Sequence, residues 1–342
     1  MKSKIKNYIA QDSKLEYTIN NNKDVYITGP GENLDTNLVI PEYVDGLKVN
    51  GISTNAFFGV THIKSVHIPT LSYLGGYAFA NCIALTKVTF DENNGVANGM
   101  FCDCVHLQSV VFNGVVRYID CSAFAGCTSL SDIALPEGMT KIYNRSFERC
   151  EALESIAIPS TVAKIESVAF IKSGIKELII PDSVKCVGSS AFAHCHKLTK
   201  VVFGNNVELV DTRAFEDCHN LVSIELNDGL ETIGNEAFSG CESLKHLVLP
   251  ITVTTIGNMA FKECRSLKQV IIPGSVSKLG SDAFMLCSEL KSIMVPTALP
   301  MDMLNQAFRN CENLMEVKMF NSFMIGKKLF SDYKNLTTFT NV

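Results

Sequence analysis

A phenylalanine returns every 22 to 24 residues along nearly the whole chain, at Phe57, Phe79, Phe101, Phe124, Phe147, Phe170, Phe192, Phe215, Phe238, Phe261, Phe284, Phe308 and Phe330. So regular a period predicts a stack of near-identical coils. Each coil has too little apolar surface to fold alone and buries its phenylalanine against its neighbours. A chain of 342 residues would ordinarily suggest two or more domains. The repeat instead predicts one extended domain with a one-dimensional core.

The residues around each phenylalanine give the coil its internal plan. Alanine precedes ten of the thirteen, and cysteine stands three residues after ten of them, from Cys82 and Cys104 to Cys287 and Cys311. Leucine follows three residues later, as at Leu85, Leu198 and Leu244. This Ala-Phe-x-x-Cys-x-x-Leu run has a period near three, which predicts a short helical or 3₁₀ turn. The period then changes to two, as in Ile156 with Ile158 or Leu247 with Leu249, and predicts a short strand with alternate residues inward. Proline often closes the strand (Pro136, Pro159, Pro250, Pro273), because it withholds a ladder donor. Thirteen coils at the inter-strand spacing would form a stack of roughly 60 Å.

Leu15, Tyr17 and Ile19 alternate before Asn20-Asn21-Asn22-Lys23, and Val25 and Ile27 alternate after it, the pattern of a hairpin. Residues 1–37 are therefore expected to cap the stack, and residues 38–342 to form a solenoid of about 13 repeats, opening with a strand at Leu38–Ile40. Gly29-Pro30-Gly31 lacks the lysine and helix context of a phosphate loop and reads as a turn after the hairpin. The C-terminal end carries no comparable cap. That leaves a fragment of a longer protein or end-to-end association as its two readings.

Composition narrows the function. Net charge is −5, so nucleic-acid or other phosphate binding has no electrostatic support. No apolar run approaches the roughly 20 residues that span a bilayer, so membrane insertion is not expected. Met1–Ala10 has three lysines but neither an apolar core nor a cleavage site, so no intact secretory signal is present. Either the protein stays in the cell or a signal has been removed. Ten of the 13 cysteines share one repeat position and are expected to pack as a reduced internal ladder, since side chains in parallel register fit disulfide geometry badly. Cys102, Cys121 and Cys186 lie outside that ladder and are the expected reactive thiols.

The unit x-x-Ile-Pro-x-x-Val-x-x-Ile-Gly-x-x-Ala-Phe-x-x-Cys-x-x-Leu, nearly complete over Ile158–Leu198 and Leu249–Leu290, resembles the BspA-like leucine-rich repeat. The resemblance covers about residues 38 to 340. It implies an α/β repeat solenoid: a right-handed arc with one short strand and a short helical or 3₁₀ turn per repeat. It also implies a non-enzymatic, surface or secreted adhesin-like protein that binds host matrix or plasma proteins. The alternative is an intracellular scaffold or regulatory interaction protein, suggested by the missing export signal and the many free thiols. No cofactor or catalytic residue carries over from the family.

The strand face is the expected contact surface. Eight residues after each phenylalanine the outward position is polar, as at Ser109, Lys200, Ser223, His246, Gln269 and Ser292. Two residues further on it is apolar through the middle of the chain, at Val111, Ala134, Ala157, Ile179, Val202, Val248, Ile271 and Met294, broken by Glu225. Stacked, these eight would form an apolar stripe for a protein partner, unless they are simply good strand formers. Lys245, Lys268 and Lys291 form a smaller basic column beside the strands. His194-Cys195-His196 and Cys218-His219 bring metal-ligand residue types together on successive coils. Both cysteines belong to the buried ladder and should face away from the histidines, so no metal site is expected.

Overall fold

The computed structural model describes residues 7–9, 14–32, 34–92, 95–320 and 338–341. The expectations for Phe330, the C-terminal end and most of Met1–Ala10 fall outside them. The chain divides into two compact units, Met1–Thr161 and Val162–Val342. Each is built of stacked coils that follow the phenylalanine repeat.

In the first unit the strands Asn37–Val39, Ser65–Ile68, Lys87–Phe90, Ser109–Phe112 and Asp132–Ile133 form one parallel sheet, with each residue in register with its repeat equivalent. Strands Leu15–Ile19 and Val25–Pro30 pair antiparallel around a turn in which Lys23 has φ +66°. Val25–Pro30 in turn pairs parallel with Leu47–Ile52. Gly29 and Pro30 are thus the end of a strand rather than a turn. The Gly31 amide donates to the Lys14 carbonyl at 2.8 Å and extends that pairing by one bond. In the second unit the main sheet comprises Glu177–Ile179, Lys200–Val202 and Ser223–Glu225, then Gln269–Ile271, Ser292–Pro296, Glu316–Phe320 and Thr338–Asn341. Between these two groups only one bridge, Ser223 with His246, continues the ladder. A second parallel ladder of two-residue strands runs from Lys164–Ile165 to Lys278–Leu279.

The core between the two ladders is a set of columns. Phe57, Phe79, Phe101, Phe124 and Phe147 stack with centroids 4.8 to 5.7 Å apart in the first unit. Phe170 through Phe308 stack at 5.0 to 5.3 Å in the second. All of these rings are fully buried. The cysteine column lies alongside. Each ladder thiol donates to the carbonyl of the phenylalanine one coil back, as Cys82 does to Phe57 (3.2 Å) and Cys241 to Phe215 (3.3 Å). Ser173 takes the cysteine's place in one coil, is buried, and lies 3.3 Å from the Cys195 sulfur.

The expected helical turn around each phenylalanine does not form. In every coil from Phe57 to Phe284 the residues two before and two after the phenylalanine have φ between +53° and +74°, for instance Asn55 and Gly59, Tyr77 and Asn81, or Arg213 and Asp217. A left-handed residue reverses the helical sense, so alternate amides face different ways. The amides of Asn55, Phe57 and Gly59 donate to Gly76, Ala78 and Ala80 of the next coil, while those of Ala56, Phe58 and Val60 close turns onto the residue three back. Every second donor leaves the turn, which a helix forbids. The Phe308 coil is the exception: the helix Met301–Ala307 replaces its first left-handed residue, and only Asn310 (φ +61°) remains.

Two outcomes follow. Val168 holds φ +62° with a β-branched side chain, so Val168→Gly is expected to raise stability by about 1 kcal/mol in urea unfolding. Phe238→Ala empties the middle of a column packed on both sides, and should cost about 3 to 5 kcal/mol in the same measurement.

Candidate functional site

Alternation within the short main strands decides what faces outward. Leu178, Val201, Ile224, Val270 and Ile293 are buried, so their neighbours on each strand point away from the core. In the second unit Ile179, Val202 and Glu225 stand in register on three adjacent strands. Ile271, Met294 and Lys318 do the same further along. Val248 belongs to the coil between them, where the ladder narrows to the His246 bridge. Exposure reaches 70% at Ile179, 81% at Val248 and 47% at Ile271, whereas Val202 and Met294 are half-buried. Glu225 interrupts the apolar row, and its carboxylate is held by Lys200 across the neighbouring rung at 2.6 Å.

The first unit brings together less than the sequence suggests. Val111 is half-buried, in register with Thr89. Ala134 and Ala157 are exposed but offer only a methyl group each. Register carries the row on through His67 to Val39, which is 62% exposed. His67 approaches Asp91 at 3.2 Å. Val39 was legible from the alternation of Leu38, Val39 and Ile40, since Leu38 and Ile40 are buried on either side of it.

Away from the main sheet of the first unit, Leu47–Ile52 pairs with Tyr73–Leu74 and Gly95–Val96 with Tyr118–Ile119, and beside these strands sits a group that sequence reasoning missed. Tyr73, Tyr77 and Tyr118 are exposed, and Tyr73 meets Tyr26 edge-on at 5.9 Å. The rings of Tyr118 and Tyr77 occupy the space that side chains at Gly95 and Gly99 would fill. The signal was Gly95, standing where the coils on both sides carry Tyr73 and Tyr118, and Gly99, standing where the preceding coil carries Tyr77.

Charge on the strand face of the second unit is uneven. Two lysines on its strands have carboxylate partners, Lys200 with Glu225 and Lys318 with Glu316. Lys245, Lys268 and Lys291 are exposed. Among the described residues none of these three forms an ion pair with a carboxylate.

The histidine cluster does not converge on an ion. The rings of His196 and His219 stack 5.1 Å apart and parallel to within 6°. Their Nδ1 atoms lie 3.1 and 3.0 Å from the carbonyls of Asp217 and Gly240. Two imidazoles stacked face to face cannot aim their remaining nitrogens at one metal about 2 Å from each. His194 instead meets Asp217 at 3.4 Å, and partial burial lowers its pKa. The sulfurs of Cys195 and Cys218 point inward, to the carbonyls of Phe170 and Phe192. Among the described residues no group of three His, Cys, Asp or Glu side chains could hold a metal ion. No described helix is long and apolar enough to cross a membrane.

Nor are two of the outlying cysteines, Cys102 and Cys186, primed for reaction. Burial, reinforced by Asp103, pushes the Cys102 thiol up to about 12. Burial and Asp211 raise that of Cys186. A thiol raised in this way is protonated at neutral pH and is a poor nucleophile. Desolvation acts on the ladder as well, pushing Cys82 up to about 12 and Cys195 up to about 11 from an ordinary 9.0. Above 9.0 the unfolded chain therefore releases protons that the folded chain keeps, and stability falls as pH rises toward the folded values. The slope is about 1.4 kcal/mol per pH unit for each buried thiol. Urea unfolding from about pH 8 to about pH 11 should show this decline, and it should be shallower in a Cys218→Val, Cys241→Val double variant.

The sequence matches the BspA type leucine-rich repeat region in 6 copies, over residues 36–96, 94–222 and 211–337. Among solved structures, the fold is similar to that of a leucine rich cell surface protein from Faecalibacterium prausnitzii A2-165. The two are 23% identical over 97% of this chain and 98% of that one, with a TM-score of 0.52. It is also similar to the pneumococcal vaccine antigen PcpA, at 19% identity over 98% of each chain and a TM-score of 0.51. No curated protein sequence matches the chain.

Proposed function

Because the chain belongs to the BspA-type leucine-rich-repeat family, we propose that it is a protein-binding module whose contact surface is the outward row of its main strands. The row comprises Val111, Ala134, Ala157, Ile179, Val202, Val248, Ile271 and Met294. One observation carries this reading: Ile179, Val248 and Ile271 are 70%, 81% and 47% exposed in one row, beside a row of polar side chains. Aligned apolar area left open to water is costly and has a use in a partner's interface. The role is binding rather than catalysis, since neither the histidines nor the thiols are arranged for chemistry.

The setting we propose is the cell surface or the exterior, as an adhesin-like protein that contacts a host matrix or plasma protein. The description of the Faecalibacterium fold neighbour as a cell surface protein supports that setting. An intracellular scaffold is the second reading, and the ten reduced thiols of the buried ladder favour it. Fractionation of the producing cells separates the two.

The test of the binding surface uses the purified full chain, immobilised and exposed to matrix and plasma proteins. Val248→Ser with Ile271→Ser should weaken capture of a bound protein by about tenfold or more. Val115→Ser, at an exposed apolar residue outside the row, should change it little. Unchanged capture by the double variant, with its urea midpoint intact, would remove the strand face as the contact surface.

A further inference from the structure

We propose that three successive coils of the second unit form a site for an extended protein segment in which acidic and apolar residues alternate. This rests on the strand-face reading above and adds to it the chemistry of the partner.

Three parallel rows define the site. Lys245, Lys268 and Lys291 occupy one repeat position, just before the strand. His246, Gln269 and Ser292 follow, and Val248, Ile271 and Met294 stand two residues beyond those. Register between the last two coils is fixed by the pairing of Gln269 with Ser292 and of Ile271 with Met294, and by the Lys291 amide bonded to the Lys268 carbonyl at 2.9 Å. The first coil is tied to the second by the Phe238 amide on the Ala260 carbonyl at 2.7 Å and by the stacked Phe238 and Phe261 rings. Neighbouring coils repeat at about 4.8 Å, so the three ammonium groups crowd into a column roughly 10 Å long. Like charges on adjacent strands repel. The protein relieves this elsewhere with its own carboxylates, as at Lys200 with Glu225 and Lys318 with Glu316, but not here. The column ends at Val222 and Met315, both exposed apolar residues, so the charge is confined to these three coils.

The distance between the outer rows selects the occupant. Lysine and apolar positions lie three residues apart along each coil, about 10 Å in extended backbone. An extended segment lying along the stack, above the middle row, sends alternate side chains to opposite sides. Carboxylates on one side would meet the lysines, and apolar side chains on the other would cover Val248, Ile271 and Met294. His246, Gln269 and Ser292 lie beneath its backbone and supply polar partners for its amides and carbonyls. A sulfated glycan would satisfy the lysines but leave the apolar row bare, so the observations favour a polypeptide.

The experiment uses the full chain and a fluorescein-labelled peptide of about eight residues, alternating Asp and Leu. Counterparts carry Asn for Asp or Ser for Leu, and a sulfated oligosaccharide serves as the glycan probe. Fluorescence anisotropy should show saturable binding of the Asp-Leu peptide. Lys245→Glu, Lys268→Glu, Lys291→Glu should weaken it about tenfold or more at low salt, and the difference should shrink as salt screens the charges. Ile271→Ser and both counterpart peptides should each weaken it several-fold. A Lys→Gln set at the same three positions, with an unchanged urea midpoint, controls for folding and should give an intermediate loss.

The proposal is overturned if the Asp-Leu peptide does not bind, or if the Lys→Glu set binds it unchanged. It is also overturned if the oligosaccharide binds more tightly and is indifferent to Ile271→Ser. A captured matrix or plasma protein that needs Val248 and Ile271 but ignores the lysine changes would sink the acidic segment and leave the strand face standing. Indifference to both sets would remove both.

Discussion

The divided direction of the backbone amides around each phenylalanine governs the rest of the structure. Three amides per turn, such as those of Asn55, Phe57 and Gly59, donate to the next coil, and the intervening ones close their own turn. Donors that leave the turn commit one coil to the next at a fixed height. That height lets phenylalanine rings meet at 5.0 to 5.3 Å in the second unit and lets each thiol reach the carbonyl one coil back. The left-handed residues that produce the division cost conformational energy at each position. Packing of the columns offsets it, and a neighbouring coil supplies the acceptors, which is why a single repeat has no stable fold.

The same arrangement explains how much could be read in advance. Phe, Cys and Leu at fixed spacing specify the columns whatever the turn geometry, so the stacked core was legible. The turn itself was not, because a period near three describes a 3₁₀ helix and this divided turn equally well. The discriminating residues flank the phenylalanine: Asn55, Gly59, Asn81, Gly99, Asp103, Gly126, Asp217 and Gly240 tolerate positive φ better than most. Arg145, Glu236, Met259 and Val168 do not, and they mask the pattern.

The outward rows were legible as positions but not as surfaces. Strand alternation placed Val111 and Val248 in equivalent roles, yet one is half-buried and the other 81% exposed, a difference set by how far each coil keeps its ladder. Pairing was also beyond the sequence. Lys200 and Lys245 look alike until Glu225 is found 2.6 Å from the first. The tyrosines above Gly95 and Gly99 needed the neighbouring coils to be seen side by side.

The buried columns use the same few residue types from coil to coil, so the core scarcely distinguishes one repeat from another. A repeat gained or lost by duplication or deletion would be accommodated without redesign, its rings joining the existing column. Everything outward would then shift by one rung. Ancestral lengthening of such a chain therefore rearranges its surface in discrete steps, and splits any recognition patch that spans the coils on either side of the inserted one.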